Sequence, residues 1–150
     1  MRFVMLMYPG PAAETERSPV PDGPEGQKLL TDMMAFNQRM VDAGIMLGGE
    51  GLKPTRLGAR VKYQGGGKTS LHDGPFTETK EVLGGYWIIE CASLAEAIAW
   101  ARQAPCPAGE FIDIRPVWTP EDFGEDAAAI ERGQMTQMEQ QAAEKAAKGG

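Results

Sequence analysis

Two short segments of this chain alternate in the same way. In Tyr86-Trp87-Ile88-Ile89-Glu90 and in Phe111-Ile112-Asp113-Ile114-Arg115, one set of alternate residues is purely apolar: Trp87 and Ile89, then Ile112 and Ile114. The residues between them mix aromatic, aliphatic and charged side chains. Successive side chains on a strand point to opposite faces. A sheet built from both segments therefore has one face that must be shielded from water and one that is half aromatic or aliphatic and half charged. The first face calls for helices laid across it, and the second needs some other cover.

The rest of the chain supplies the matching parts. Residues 2–8, RFVMLMY, read as a strand apolar on both faces, hence central and covered on both sides. Residues 9–26 are rich in Pro, Gly and Glu and read as a long loop. Over 27–43, Leu29, Leu30, Met33, Met34, Phe36, Met40 and Val41 recur at helical spacing, and Gly44 is placed to stop the helix. A strand over 45–52 follows, in which Gly48, Gly49 and Gly51 mark a bulge or a close backbone approach. Residues 59–64 and 68–72 flank a Gly-Gly-Gly turn and read as a hairpin with Val61 and Tyr63 on one face and Arg60 and Lys62 on the other. The strand over 84–90 leads to a helix opened by Ser93 and Glu96 in a capping box and stopped near Ala104 by Pro105 and Pro107. The last strand is expected over 110–117. Thr119-Pro120-Glu121-Asp122 is a further helix start, predicting a helix from about Pro120 through a thin stripe of Phe123, Ile130 and Met138.

The order is β-α-β, a hairpin, then β-α-β. Without the hairpin this is the βαββαβ pattern of a ferredoxin-like α+β domain, with helices on one face of an antiparallel sheet. The expected division is a domain over 1–118 and a helical or partly disordered tail over 119–150.

Composition excludes several roles. A formal charge of −6 with no basic stripe argues against direct nucleic-acid binding. The apolar start is only a strand long, too short for a signal peptide or a membrane span, so the expected location is cytoplasmic. Cys91 and Cys106 lie near opposite ends of one predicted helix, too far apart to bridge, and no Cys/His cluster suggests a metal. No cofactor motif is found. Gly65-Gly66-Gly67-Lys68-Thr69 resembles a phosphate-binding loop only superficially: the glycine the motif requires five positions earlier is Lys62, and the setting is a hairpin.

The candidate chemistry lies in Ser70 to Glu90. His72 is the single histidine, and Asp73 beside it suggests an acid–base pair, although neighbours on a strand face opposite ways. Asp73-Gly74-Pro75-Phe76 has the makings of a turn: a side-chain acceptor, a glycine free in φ and a fixed proline, with Phe76 as an apolar anchor. Glu78, Lys80 and Glu81 follow on the same loop. Tyr86, Ile88 and Glu90, with Phe111, Asp113 and Arg115, form the mixed face. That face suits either a small-ligand site or an interface with paired charges.

These stretches together resemble the YCII-related family, in its DGPF-motif branch. The likeness is carried by HDGPFTETKEVLGGYWIIE, by MRFVMLMY, by GGEGL at 48–52, by SLAEAIAWA at 93–101 and by IDIRPVW at 112–118. It implies a ferredoxin-like fold pairing as a dimeric α/β barrel, a homodimer joined sheet to sheet. Related barrels include muconolactone-isomerase-like and dehydrochlorinase enzymes, and the branch is often associated with extracytoplasmic-function sigma factors. Asp73, Gly74, Pro75, Phe76, Glu78 and Lys80 match the motif, and Glu50 matches its GEGL element. The histidine that smaller relatives carry in the first helix is absent, since 27–43 contains none.

Two functional readings follow. In the first, a small-molecule site beside the loop supports proton transfer, as in isomerisation or elimination. Asp73, Glu50 or His72 is the catalytic group, and Phe76, Glu78, Lys80, Tyr86 and Arg115 contact the substrate, with Lys80 or Arg115 holding a developing anion. In the second, the domain is a non-catalytic ligand-binding or regulatory module, associated with a sigma factor.

Overall fold

The computed structural model describes residues 1–10, 22–75 and 82–148. In chain order the elements are β1 (Arg2–Tyr8), α1 (Pro24–Asp42), β2 (Met46–Gly51), β3 (Ala59–Gly65), β4 (Lys68–Asp73), β5 (Gly85–Glu90), α2 (Leu94–Ala101), β6 (Phe111–Pro116) and α3 (Glu125–Lys148). Four strands form one sheet in the order β2-β5-β1-β6, and β3 and β4 form a separate two-stranded sheet. Every pairing is antiparallel. With the hairpin set aside this is the expected ferredoxin-like α+β arrangement, in which β1 and β5 are central.

The purely apolar face is the buried one. Phe3 and Met5 of β1 and Trp87 and Ile89 of β5 pack with Phe36 and Met40 of α1 and Ala97 of α2. Ile112 and Ile114 close the β6 side of this core. Phe36 meets Trp87 edge to face, centroids 5.9 Å apart at 88°, a favoured aromatic geometry. The indole N–H of Trp87 donates to Asn37 Oδ1 at 2.8 Å, so the one polar atom of this side chain is satisfied by the helix that covers it. The other half of the α1 stripe is exposed, including Leu30, Met34 and Val41.

Glycines set the joints. Gly44 (φ +70°) ends α1: its N–H donates to the Val41 carbonyl, and the Ile45 N–H to that of Met40. This is a Schellman cap, and buried Met40 and Ile45 supply its apolar contact. The register of β2 shifts between Met46 and Gly48, where the glycine-rich strand predicted a bulge. A Cβ on Gly49 would lie 2.7 Å from the Tyr86 carbonyl oxygen and 3.1 Å from the Trp87 ring, so β2 reaches β5 this closely only with glycine there.

Some boundaries differ from expectation. Helix α1 begins at Pro24, whose fixed φ and missing N–H suit a first helical position, rather than at Gln27. Helix α2 ends at Ala101, with Arg102 as its cap, short of Ala104. The predicted cap is present: the Glu96 N–H donates to Ser93 Oγ, while Glu96 Oε2 accepts from the Ala92 N–H.

The chain divides into two compact units, Met1–Pro116 and Val117–Gly150. In the second, the Thr119–Asp122 capping box forms, with the Thr119 N–H donating to Asp122 Oδ2 at 2.7 Å. It closes a 3₁₀ turn over Pro120–Phe123, not the α-helix expected from Pro120. Gly124 at φ +94° breaks the backbone there, and α3 starts at Glu125. Trp118 packs on Phe123, and Ile130 and Met138 remain exposed.

Asn37→Ala removes the acceptor of a largely buried indole N–H. We expect a loss of about 1–2 kcal/mol, read as a lower urea midpoint at unchanged m-value. An unchanged midpoint would mean that the indole finds another partner.

Candidate functional site

Register defines the mixed face of the sheet. Glu50 lies opposite Tyr86, Tyr86 opposite Leu6, and Leu6 opposite Asp113. Residues opposite one another on antiparallel strands share a face, so these four form one row across the whole sheet. The next row is Gly48, Ile88, Val4 and Arg115, and at one end Arg2 lies opposite Glu90. At the other end Tyr8 stacks on Phe111, centroids 4.9 Å apart. Carboxylates thus stand at both ends of an aromatic and aliphatic strip. At about 4.8 Å per strand, Glu50 and Asp113 are about 14 Å apart, a span that suits a small molecule lying between them. Glu50, Asp113 and Arg115 are exposed, and Leu6, Tyr86 and Ile88 are half-exposed.

The hairpin carries the other candidates. Ala59 pairs with Asp73, Arg60 with His72 and Val61 with Leu71. Asp73 therefore shares a face with Val61 and Leu71, and His72 lies on the opposite face with Arg60. His72 Nε2 is 3.2 Å from Ser70 Oγ. His72 and Asp73 do not meet as an acid–base pair within the hairpin. Phe76, Glu78 and Lys80 lie outside the described residues.

The Asp-Gly-Pro turn closes for a different reason than the sequence suggested. Gly74 does not use a positive φ. Its N–H donates to the Gly58 carbonyl, continuing the hairpin ladder by one step, and the next backbone N–H after Pro75 lies outside the described residues. A Cβ on Gly74 would overlap the carbonyl of Thr55, in the 3₁₀ turn Thr55–Leu57. The glycine is required by space, and the Asp73 side chain is left exposed and available for chemistry.

A second cluster escaped the sequence reading. A cavity of about 290 Å³ lies between α2 and β6, lined by Ile98, Ala101, Cys106, Glu110, Ile112 and Ile114 among others. Glu110 Oε2 is buried with no hydrogen-bond partner among the described residues. Burial raises the Glu110 pKa above the usual carboxylate value, and a hydrogen bond from the Gly10 backbone N–H partly offsets this. Burial and the nearby Glu110 raise the Cys106 thiol, and burial with Glu96 raises Cys91, so neither is an activated thiolate. Both cysteines are free. A glutamate just before a strand carries no sequence signal of burial, because the Gly10 N–H reaches it only through the pairing of β1 with β6.

Among the described residues no group of three or more His, Cys, Asp or Glu is arranged to hold a metal, and no helix is long and apolar enough to cross a membrane.

Comparison with known proteins adds three findings. The model of the YCII-related domain family matches residues 1–121. An uncharacterised protein of Rhizobium meliloti (strain 1021) is 36% identical over 95 residues, covering 62% of this chain and 76% of that protein. Among solved structures, the chain is similar to 5-chloro-2-hydroxyhydroquinone dehydrochlorinase from Burkholderia phenoliruptrix AC1100, in complex with 2,5-dihydroxybenzoquinone. That similarity has a TM-score of 0.41 at 14% identity and covers 83% of this chain and all of that one.

Two substitutions test the turn. Gly74→Ala should destabilise strongly, because its methyl meets fixed backbone. Asp73→Ala should stay within about 0.5 kcal/mol of wild type, as exposed substitutions usually do. A large loss from Asp73→Ala would restore the side chain to a structural role.

Glu110 gives a pH signature. Its folded pKa lies above the unfolded value, so ionisation costs more in the fold, and stability falls as pH rises through about 4.5 and on through the folded pKa. Glu110→Gln removes that loss. Its melting temperature should match wild type below pH 4 and exceed it at neutral pH. A mutant no more stable at pH 7 than at pH 4, relative to wild type, would contradict the assignment.

Proposed function

The chain belongs to the YCII-related domain family, and on that premise we propose that it is a homodimer enclosing a small-molecule site where two sheets meet, at which it catalyses proton transfer on a carbonyl-bearing substrate. The observation that carries this reading is the row Glu50–Tyr86–Leu6–Asp113, with Arg115 in the next row. It combines apolar contact area with a few polar groups at its two ends, a make-up that suits a ligand site.

The mechanism follows from the placement of these groups. Tyr86, Leu6 and Ile88 bind the body of the substrate and exclude water. Of the candidate bases, Glu50 is on the same face as Tyr86 and takes the proton α to the carbonyl. Arg115 holds the oxyanion that forms, and fixed positive charge in a water-poor site makes that stabilisation large. Asp73, exposed on one face of the hairpin, is the alternative base, and His72 stands on the hairpin's other face. Return of the proton to another carbon gives isomerisation, and departure of a β-substituent gives elimination. The folding domain is residues 1–118, with the remainder an accessory helix.

The test is α-proton exchange. The protein should catalyse deuterium uptake from D₂O into a cyclic β-hydroxyketone or enone, followed by NMR. Glu50→Gln should lower the rate about 100-fold or more, in the range for a positioned base, without shifting the melting temperature by more than a degree or two. Binding of such compounds with no exchange would identify a non-catalytic ligand-binding module, the regulatory role linked to sigma factors.

A further inference from the structure

The cavity between α2 and β6 takes no part in that mechanism. Its walls come from Trp87's side of the sheet, the face turned to the helices, whereas Glu50, Tyr86 and Arg115 stand on the opposite face. Two features set it apart from a packing defect. The first is its shape: at about 290 Å³ it falls at the small end of the ~300–1,000 Å³ typical of ligand pockets. Ile98 and Ala101 of α2 and Ile112 and Ile114 of β6, with Phe111 at the start of β6, form an apolar wall, and Arg102, Cys106 and Glu110 supply a polar one. The second is Glu110, whose Oε2 atom is buried against these walls with no donor among the described residues. A buried carboxylate oxygen left unpaired is costly, and natural structures rarely keep one without a use.

We propose that this cavity is a second small-molecule site, selective for a primary monoamine with a compact apolar body, in which the ammonium donates to Glu110 Oε2. The chemistry selects the class. The apolar wall takes a phenyl or short branched alkyl group, and the unpaired acidic oxygen takes a donor. A cationic donor forms the stronger, charge-assisted bond and neutralises the buried charge. Arg102 lines the same cavity, so a diamine would set its second charge against a guanidinium. The Gly10 N–H already serves the carboxylate and fixes its orientation.

The experiment uses the full chain labelled with ¹⁵N and three probes of similar size: 2-phenylethylamine, its neutral isostere 2-phenylethanol, and 1,4-diaminobutane. Titration followed by NMR should move most the amide resonances of Ile98, Ala101, Glu110, Ile112 and Ile114 and leave those of Glu50, Tyr86 and Leu6 unmoved. The monoamine should bind at least about tenfold more tightly than the alcohol, as expected for one charge-assisted hydrogen bond, and more tightly than the diamine. Glu110→Gln, which keeps the shape and an acceptor for Gly10, should abolish the preference for amine over alcohol. The proposal is overturned if amine and alcohol bind wild type equally, if Glu110→Gln leaves the preference intact, if the shifts map to the open sheet face, or if no probe moves any resonance at millimolar concentration. The comparison of probes on wild type needs no variant, so a Glu110→Gln chain that failed to fold would not spare it.

Discussion

Trp87 is where the constraints of this fold meet. Its ring packs edge to face on Phe36, its N–H is held by Asn37, and its Cδ1, with the Tyr86 carbonyl just before it, lies so close to β2 that glycine is needed at position 49. One side chain thus ties the first helix, a central strand and an edge strand together. Because Trp87 points to the helices, strand alternation turns Tyr86 and Ile88 the other way. The same alternation in β1 and β6, held in register, places Leu6, Val4, Asp113 and Arg115 beside them. The packing of one face therefore composes the other, and the proposed site is a geometric consequence of the core.

The mixed face has the wrong character for either simple fate. It carries too many aromatic and aliphatic groups to stand in water without consequence, and too many charges for a dry core. In the proposed dimer a second sheet would cover the apolar groups, while the charges would line whatever space is left between the two. That arrangement would enclose a site whose Glu50 carboxylate and Arg115 guanidinium are carried on strands, where catalytic geometry is best held. The α2–β6 cavity shares none of Glu50, Tyr86, Leu6 and Asp113, although Phe111 borders both it and the open face.

Much of this was legible in the sequence because it is local. Alternation in 85–90 and 111–116 gave both the buried and the open face, Gly44 marked the end of α1, and the glycines of 48–51 announced the bulge and the close approach to β5. What failed was what depends on distant backbone. Gly74 looked like a residue chosen for φ, yet its role is to pass the Thr55 carbonyl, which no local pattern reveals. Glu110 was read only as the start of the last strand, and its contact with the Gly10 N–H, a hundred residues earlier, arises from the pairing of β1 with β6. The cap at Thr119 was read correctly as a cap, but Gly124 decided that it would close a single 3₁₀ turn. His72 and Asp73 are adjacent in sequence and lie on opposite faces in space, a separation that strand alternation foretold.

The central claim is that a second copy covers the open face, and sedimentation velocity on wild type and Ile88→Lys tests it most directly. Ile88 is half-exposed in the single chain and contributes nothing to the helix-side core, so a lysine there leaves the protomer folded but places a charge in the middle of the proposed interface. An interface that joins two sheets should bury about 2,000 Å² or more. The account predicts a wild-type dimer at micromolar concentration and a folded Ile88→Lys monomer. A wild-type monomer, or an Ile88→Lys dimer as stable as wild type, would contradict it.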